Sequence, residues 1–317
     1  METATSKQEF EELMSYVQDL KKQKDVLLLV HNYQRPRIQD IADVLGDSFG
    51  LSVQAQKAKP ANIVFCGVDF MAESAKLLNP AKRVVHPNAA SRCPMAAMVD
   101  VKGLLDMKRE HPGAGVCAYV NTSASVKAEV DVCCTSSNVV KVLQAMPQKK
   151  IIFVPDTNLG LYARRFVKDK ELVLWPGYCH VHSEIRAEDI EAVQKDHPKA
   201  EVIAHPECLP EVIDIADAVA STEGMIGHIK QSKAKEFILA TEQEMAYRLG
   251  KIFPDKWFIP LASALCPAMK KIEFEDVIKA IETLKPEVSL PKDVMERARV
   301  PLERMVAIGL GNKVDWS

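Results

Sequence analysis

Three cysteines of this 317-residue chain recur at one spacing. Cys93 precedes Cys179 by 86 residues, and Cys179 precedes Cys266 by 87. A lone buried cysteine is usually a small apolar core side chain, but three in equivalent places indicate thiolates that meet at one point. Each cysteine is expected to end the last strand of its repeat unit. Three thiolates fit a [4Fe–4S] cluster with one iron left free, or a zinc ion with an open position. Such a metal is a Lewis acid, so the spacing favours dehydration or condensation chemistry.

Other residues near these cysteines leave an alternative open. His180 and His182 follow Cys179 closely, so a mixed cysteine and histidine metal site competes with the three-cysteine site. The cysteines outside the period are interpreted as buried core residues: Cys66, Cys117, Cys133, Cys134 and Cys208.

Polar side chains at the ends of predicted strands supply candidates for acid–base chemistry. His205 and Glu207 lie two residues apart, on the same side of an extended backbone, and can share general acid and base work. A histidine such as His31 or His205 can instead satisfy a buried backbone group, and that structural interpretation stays open. The other strand ends carry further polar groups: His31, Asn32, Tyr33, Gln34, Tyr119 and Asn121.

Hydroxyl groups at predicted helix starts suggest an anion site. The N-terminus of a helix presents free N–H groups and the positive end of its dipole. These starts therefore predict binding of a phosphate or of carboxylates, with ordinary helix capping as the alternative. The hydroxyl-bearing residues are Ser48, Ser136, Ser221 and Thr222. Phe70, Met71 and Met269 are candidates for an apolar cavity wall, or for ordinary core packing.

The elements that must position these residues repeat with the cysteines. Each period contains four apolar, β-rich segments that alternate with helical patterns, and it opens with VLLLVHNYQ, GVCAYVNTS or AEVIAHPEC. Continuous apolar strands are typical of sheets covered on both faces. The repeat predicts an α/β fold of three homologous αβα units, with parallel sheets arranged around a pseudo-threefold axis.

The units run roughly over residues 24–111, 112–198 and 199–286. A leading helix over 1–23 and a closing helical segment over 287–317 complete the first and third, so the predicted domains are 1–111, 112–198 and 199–317. Other landmarks keep similar steps: Ser48, Ser136 and Ser221, and likewise His31, Asn121 and His205.

Composition narrows the class of function. With 41 basic and 43 acidic residues the formal charge is −2, which gives no field for nucleic acid or an anionic membrane. No apolar run approaches the ~20 residues that a membrane span requires. Eight cysteines without an export signal indicate reduced thiols and a cytoplasmic protein. The expected partners are therefore small-molecule substrates, with no nucleic acid and no membrane.

The chain is similar to the quinolinate synthases over nearly its whole length and in the same order. The segments that carry the likeness are VHNYQRPRIQDIADVLGDS, VFCGVDFMAESAKLLNP, AYVNTSASVKAEVDVCCTSSN, FVPDTNLGLY, WPGYCHVH, HPEC, STEGM and CPAMKKI. The resemblance implies a [4Fe–4S] cluster on Cys93, Cys179 and Cys266. It also implies condensation of iminoaspartate with dihydroxyacetone phosphate to quinolinate, phosphate and water, a step of NAD biosynthesis.

The resemblance further implies roles for individual residues. Tyr33 and Glu207 look like the proton-transfer groups, with His205 beside them. The groups that look like holders of carboxylates, phosphate and intermediates are His31, Ser48, Tyr119, Asn121, Ser136 and Thr222, and the capped start at Ser221 belongs to the same anion site. A transient contact with the enzyme that supplies iminoaspartate is a further expectation.

The hypothesis for the reaction follows from these roles. The helix starts hold both substrates, the enamine carbon displaces phosphate, and Glu207 with Tyr33 moves protons before nitrogen closes the ring. The open iron aids the last loss of water. Two functions from other classes compete: an aconitase-like iron–sulfur hydro-lyase, and a non-catalytic redox sensor, which would be expected to carry a basic patch or a helix-turn-helix.

Overall fold

The structure, a computed structural model, describes the backbone of residues 4–316 and the side chains of residues 12–316. The first three residues of the predicted leading helix lie outside the described residues. The first unit contains, in chain order, α1 (Ala4–Gln23), β1 (Val26–His31), α2 (Pro36–Asp40), β2 (Val44–Gly46), α3 (Ser48–Lys57), β3 (Asn62–Cys66), α4 (Asp69–Leu78), β4 (Arg83–Val85) and α5 (Val101–Glu110).

The second and third units repeat this series. The second contains β5 (Gly115–Tyr119), α6 (Ala124–Lys127), β6 (Val132–Cys134), α7 (Val139–Ala145), β7 (Lys150–Val154), α8 (Thr157–Arg164), β8 (Glu171–Leu174), α9 (His180–Ser183) and α10 (Ala187–Asp196). The third contains β9 (Glu201–Ala204), α11 (Pro210–Ile215), β10 (Ala218–Val219), α12 (Thr222–Gln231), β11 (Glu236–Ala240), α13 (Met245–Ile252), β12 (Trp257–Pro260) and α14 (Phe274–Thr283), and α15 (Lys292–Gly309) ends the helical structure.

Each unit builds one four-stranded sheet with the same strand order. The orders are β2-β1-β3-β4, β6-β5-β7-β8 and β10-β9-β11-β12, and every neighbouring pair within them is parallel. Helices flank each sheet, so the inner strands are buried on both faces, which explains their continuous apolar runs. The predicted α/β class with three homologous units is confirmed.

The strand register shows which residues are equivalent between units. Val30 pairs with Cys66, Ala118 with Val154, and Ala204 with Ala240. The residues that follow the first member of each pair are His31, Tyr119 and His205, so Tyr119 rather than Asn121 is the equivalent of the two histidines. Two residues further along, the equivalents are Tyr33, Asn121 and Glu207.

The last helix of each unit packs on the following unit. The first unit's α5 contacts α6, the second unit's α10 contacts α11 and β11, and the third unit's α14 contacts α2 and β3 of the first. The closing helix α15 lies against α4, α6, α7 and β6. Because each unit is completed by a helix of its neighbour, the three sheets are fixed relative to one another. The domain boundaries after residues 111 and 198 stay a prediction.

Gly177, shortly before the second periodic cysteine, meets a closely packed backbone. A Cβ atom there would lie 2.4 Å from the carbonyl oxygen of Pro155. We expect Gly177→Ala to lower the free energy of unfolding by about 1–3 kcal/mol, as overpacking does, and urea denaturation measures this change. The control is Gly227→Ala in α12, where no described neighbour lies within 4 Å of the added Cβ. It should stabilise by about 0.5–1 kcal/mol, and equal effects at both positions would contradict the packing argument.

Within the described residues, no helix has both the length and the apolar character that crossing a membrane requires.

Candidate active site

One cavity lies where the three units meet, with about 730 Å³ of empty space. Twelve of the thirteen predicted site residues line it, and the three predicted wall residues Phe70, Met71 and Met269 do so as well. The twelve are His31, Tyr33, Ser48, Cys93, Tyr119, Asn121, Ser136, Cys179, His205, Glu207, Thr222 and Cys266. Residues up to 238 positions apart in the chain therefore line one cavity, while their roles stay predictions.

The periodic cysteines reach the cavity from loops rather than from strand tips. The fourth strands β4, β8 and β12 end at Val85, Leu174 and Pro260, several residues before each cysteine. The expectation that each cysteine ends its strand is thus corrected, since a loop carries each thiol inward. Cys93, Cys179 and Cys266 are half-buried free thiols.

The cavity environment disfavours an ionised thiol in the protein alone. Burial raises the pKa of Cys93 to about 12, and burial together with the charge of Glu207 raises the pKa of Cys179. Burial also raises the pKa of Cys266. A thiolate here therefore needs a positive charge, which a bound metal supplies when the thiol releases its proton.

Cys179, His182 and Glu207 form a compact group at one side of the cavity. His182 Nδ1 lies 3.2 Å from Cys179 Sγ and 3.2 Å from Glu207 Oε2. Among the described His, Cys, Asp and Glu side chains, only this trio places three ligand atoms within 4.8 Å of one another. The three periodic sulfurs therefore do not all lie within 4.8 Å of one another, whereas two Zn–S bonds of about 2.3 Å span at most about 4.6 Å.

A chain of hydrogen bonds connects the predicted proton-transfer groups. The Tyr33 hydroxyl lies 2.6 Å from Thr241 Oγ1, which lies 3.1 Å from His182 Nε2. His182 contacts Glu207 through its other ring nitrogen, so one imidazole links Tyr33 to Glu207 through a threonine. On the opposite side, the Tyr119 hydroxyl donates a hydrogen bond to Glu207 Oε1.

The carboxyl group of Glu207 and the imidazoles of His31 and His205 have lowered pKa values. Burial alone raises the pKa of Glu207, but the neighbouring His182 and hydrogen bonds from His182 and Tyr119 outweigh it and lower the pKa to about 2. Burial, with the positive charge of Arg248, lowers the pKa of His31 to about 3. Burial and His182 lower the pKa of His205 to about 3. Glu207 is therefore ionised, and the two histidines are neutral, at pH 7.

The lowered pKa values predict how the free energy of unfolding depends on pH. His31 and His205 stay neutral in the folded protein down to about pH 3, whereas the unfolded chain protonates them below about pH 6.5. The free energy of unfolding of the metal-free protein should therefore fall by about 1.4 kcal/mol per pH unit for each imidazole between about pH 6 and pH 5. Glu207 contributes to the pH dependence only at lower pH, because the stabilisation from its charge is lost below about pH 4.5.

Urea denaturation at several pH values measures this slope. The double variant His31→Asn/His205→Asn should show a flatter dependence over the same window, and a slope equal to that of the original protein would contradict the assignment of both buried imidazoles.

The predicted anion-binding hydroxyls lie across the cavity at three helix starts. Strand pairing makes Leu45, Cys133 and Val219 equivalent, and three residues further along stand Ser48, Ser136 and Thr222. Thr222 is therefore the third member of the set. Ser221, the thirteenth predicted residue, is absent from the cavity lining.

The hydroxyl of Ser221 has a structural role. It accepts a hydrogen bond from the Gly224 N–H at 3.3 Å and caps α12. The matching cap of α3 is Asp47, which accepts from the Gly50 N–H at 2.7 Å, so Ser48 is the first helical residue rather than the cap. Ser136 lies in the turn before α7. The predicted helix starts are present, but none of the three cavity hydroxyls of Ser48, Ser136 and Thr222 is the cap of its helix.

Two polar groups are oriented for a ligand. Thr222 Oγ1 accepts a hydrogen bond from Asn32 Nδ2 at 2.7 Å, which leaves the threonine hydroxyl proton available for an acceptor in the cavity. Asn121 Oδ1 is buried and makes no hydrogen bond with the described residues. An unpaired buried amide oxygen is costly, so a donor on a bound molecule would satisfy it.

Sequence reasoning missed several cavity residues. Asp47, Thr135 and Glu242 line the cavity, and none was singled out, because each stands next to a more obvious candidate or outside the motifs considered. The signal for Glu242 was present: it stands 86 residues after Asp156 and 173 after Asp69, at the repeat period. His182 was considered only as a metal ligand, and its link between Glu207 and Thr241 depends on folding.

Comparison with known proteins agrees with this geometry. The sequence model of the family described as NadA, quinolinate synthetase A protein, matches residues 15–307. A protein of Geobacter sp. (strain M21) named quinolinate synthase is 48% identical over 299 residues, covering 94% of this chain and 98% of that protein. Proteins with the same name from Pelobacter propionicus and Methanosarcina barkeri are 46% and 45% identical, and cover 92% and 94% of this chain.

The class is an α/β enzyme, with a cavity where its three parallel-sheet units meet. The relatives are named as an enzyme, and this chain aligns with almost their full length. The chain belongs to the quinolinate synthase family. The resemblance read from the motifs is confirmed.

Proposed function

We propose that the protein is a cytoplasmic quinolinate synthase that condenses iminoaspartate with dihydroxyacetone phosphate and uses a [4Fe–4S] cluster. The observation that carries the proposal is the meeting of three periodic thiols, an ionised Glu207 and three hydroxyl-bearing helix starts in one cavity. Membership of the family supports the same reaction.

Cys93, Cys179 and Cys266 would hold the cluster. Their donor set fits, because thiolates are the usual ligands of iron–sulfur clusters and the three cysteines line one cavity. When bound, a cluster with three protein ligands supplies one iron as a Lewis acid for a substrate oxygen. The competing site of Cys179, His182 and Glu207 would use the carboxylate as a ligand and remove it from proton transfer.

Substrate binding is assigned to the side of the cavity that carries the hydroxyls. Ser48, Ser136 and Thr222 donate hydrogen bonds to carboxylate and phosphate oxygens at the positive ends of helix dipoles. Asn121 accepts a hydrogen bond from a substrate hydroxyl or imine N–H. Holding both substrates in one cavity raises their effective concentration, and Phe70, Met71 and Met269 limit the access of water to a reactive imine.

Proton transfer is assigned to Glu207 and Tyr33. A carbon–carbon bond forms as the enamine carbon of iminoaspartate attacks the phosphate-bearing carbon of the triose, and the carbon–oxygen bond to phosphate breaks. Glu207 then accepts a proton from carbon, while the Tyr33 hydroxyl donates one to oxygen. Burial raises the pKa of Tyr33 well above its usual value, so it acts as a neutral donor. Thr241 and His182 connect the two groups and return the proton between turnovers.

A turnover assay tests the proposal. The protein is reconstituted anaerobically with iron and sulfide and incubated with dihydroxyacetone phosphate and iminoaspartate, generated in place from oxaloacetate and ammonia. We expect quinolinate and phosphate in equal amounts. Dehydration of a hydroxy acid alone, without quinolinate, would instead identify the hydro-lyase, and a loaded cluster with neither activity would favour the redox sensor. The enzyme that supplies iminoaspartate is expected to contact this protein only transiently.

A further inference from the structure

Each of the three periodic cysteines donates its backbone N–H to a carboxylate. Asp69 Oδ1 accepts from Cys93 at 3.1 Å, Asp156 Oδ2 from Cys179 at 3.2 Å, and Glu242 Oε1 from Cys266 at 3.2 Å. Each acid stands after the third strand of its unit, and Asp156 and Glu242 are fully buried. We call Asp69, Asp156 and Glu242 the carboxylate ring.

A second bond repeats beside each carboxylate. The backbone N–H of Asp69 donates to the Ser91 carbonyl at 2.9 Å, that of Thr157 to Gly177 at 2.8 Å, and that of Gln243 to Ala264 at 2.8 Å. Each acceptor carbonyl belongs to the residue two before the cysteine. Every cysteine loop is thus fastened at two points to the start of the helical segment that follows the third strand.

The carboxylates are themselves fixed. Asp156 Oδ1 accepts from the Leu159 N–H at 2.8 Å, and Glu242 Oε2 accepts from the Glu244 N–H at 2.9 Å. Lys270 Nζ lies 2.9 Å from Glu242 Oε1. A carboxyl group that is itself held in one orientation restricts a loop that has little regular structure of its own.

We propose that the carboxylate ring consists of positioning residues that hold the three cysteine loops in the geometry in which their thiols bind iron. The proposal rests on the proposed cluster site. Groups of this kind orient ligands without touching the metal, and their loss typically weakens metal binding by about 10–100-fold. The ring therefore controls how long the cluster stays bound.

The chain contains a matched control set at another place. Asp43, Asp131 and Asp217 recur at the same period and accept the N–H of Leu28, Val116 and Val202, at 2.8, 2.7 and 2.8 Å. The bond type is the same, a carboxylate on a backbone N–H, but none of these acids lines the cavity. Asp131, which is half-buried like Asp69, therefore separates loss of a carboxylate bond to a backbone N–H in general from loss of the bond to a cysteine loop.

The test compares Asp156→Ala, Asp156→Asn and Asp131→Ala with the unmodified protein. Each is reconstituted anaerobically, and the rate of iron release to a chelator is measured together with the iron and sulfide bound per chain. We expect release from Asp156→Ala to be about ten-fold faster or more. Asp156→Asn keeps one acceptor oxygen and should recover part of the difference, and Asp131→Ala should release iron at the unmodified rate.

Urea unfolding of the metal-free forms accompanies the release measurement, so that a general loss of stability is seen directly. If Asp156→Ala does not fold, Asp69→Ala replaces it, because Asp69 is only half-buried and bonds to the loop of Cys93. Equal release rates in Asp156→Ala, or in Asp69→Ala, and the unmodified protein would overturn the proposal, as would equally fast release from Asp131→Ala. Absence of bound iron and sulfide in the unmodified protein would instead refute the cluster on which it rests.

Discussion

Replacing Glu207 by glutamine is expected to abolish turnover while the cluster absorbance stays unchanged. The carboxylate is 3% exposed, and its pKa of about 2 keeps it ionised at neutral pH. An amide of the same shape cannot accept the proton. Loss of one general acid–base group typically lowers the rate by about 10²–10⁴-fold, so we expect a fall of this size in the rate of quinolinate formation.

The visible spectrum and the iron content of Glu207→Gln provide the internal control, since Glu207 is not among the proposed cluster ligands. Glu211→Gln, an exposed change four residues away, should keep full activity. Full activity in Glu207→Gln would remove this residue from the mechanism. Loss of the cluster in that variant would favour the alternative metal site of Cys179, His182 and Glu207.

Replacing Cys179 by alanine is expected to eliminate the cluster itself and, with it, activity. Only two of the three proposed ligands then remain, and no other periodic thiol replaces the third. The variant should lose the brown absorbance and should bind little iron or sulfide after anaerobic reconstitution.

The matched control for this variant is Cys117→Ala in the same unit. Cys117 is fully buried in β5 and does not line the cavity, so its replacement should leave iron and sulfide at the level of the unmodified protein. Retention of four irons per chain in Cys179→Ala would refute the ligand role of Cys179.

The sequence determined the architecture because each unit repeats a local pattern. Apolar strands, helical stretches and the chain period appear in the residues themselves, and the three sheets with one strand order follow from them. The same period identified the cysteines of the cavity. Polar residues that follow strands were equally predictable, because carboxyl ends of parallel strands are the usual place of ligands.

Register was harder to predict, because landmarks in a divergent repeat shift by one or two positions. Ser221 keeps nearly the right spacing, but the strand pairing places Thr222 in the cavity and leaves Ser221 as a cap. Asn121 was aligned with His31 for the same reason, whereas Tyr119 occupies that place. A shift of one residue is invisible in composition and decides which side chain faces the ligand.

The helix packing and the hydrogen bonds that join the units could not be predicted. The packing of α5, α10 and α14 on the next unit depends on the relative placement of three sheets. The hydrogen-bonded link from Tyr33 through Thr241 and His182 to Glu207 joins residues of all three units. Such contacts bring together residues that share no local pattern, so only the folded chain reveals them.

A crystal structure of the anaerobically reconstituted protein, with iron located by its anomalous scattering, tests the central claim most directly. We predict a four-iron cluster bonded to the sulfurs of Cys93, Cys179 and Cys266, with one iron free of any protein ligand and facing Glu207. A single ion held by Cys179 and His182, or a fourth protein atom on the remaining iron, would contradict the account.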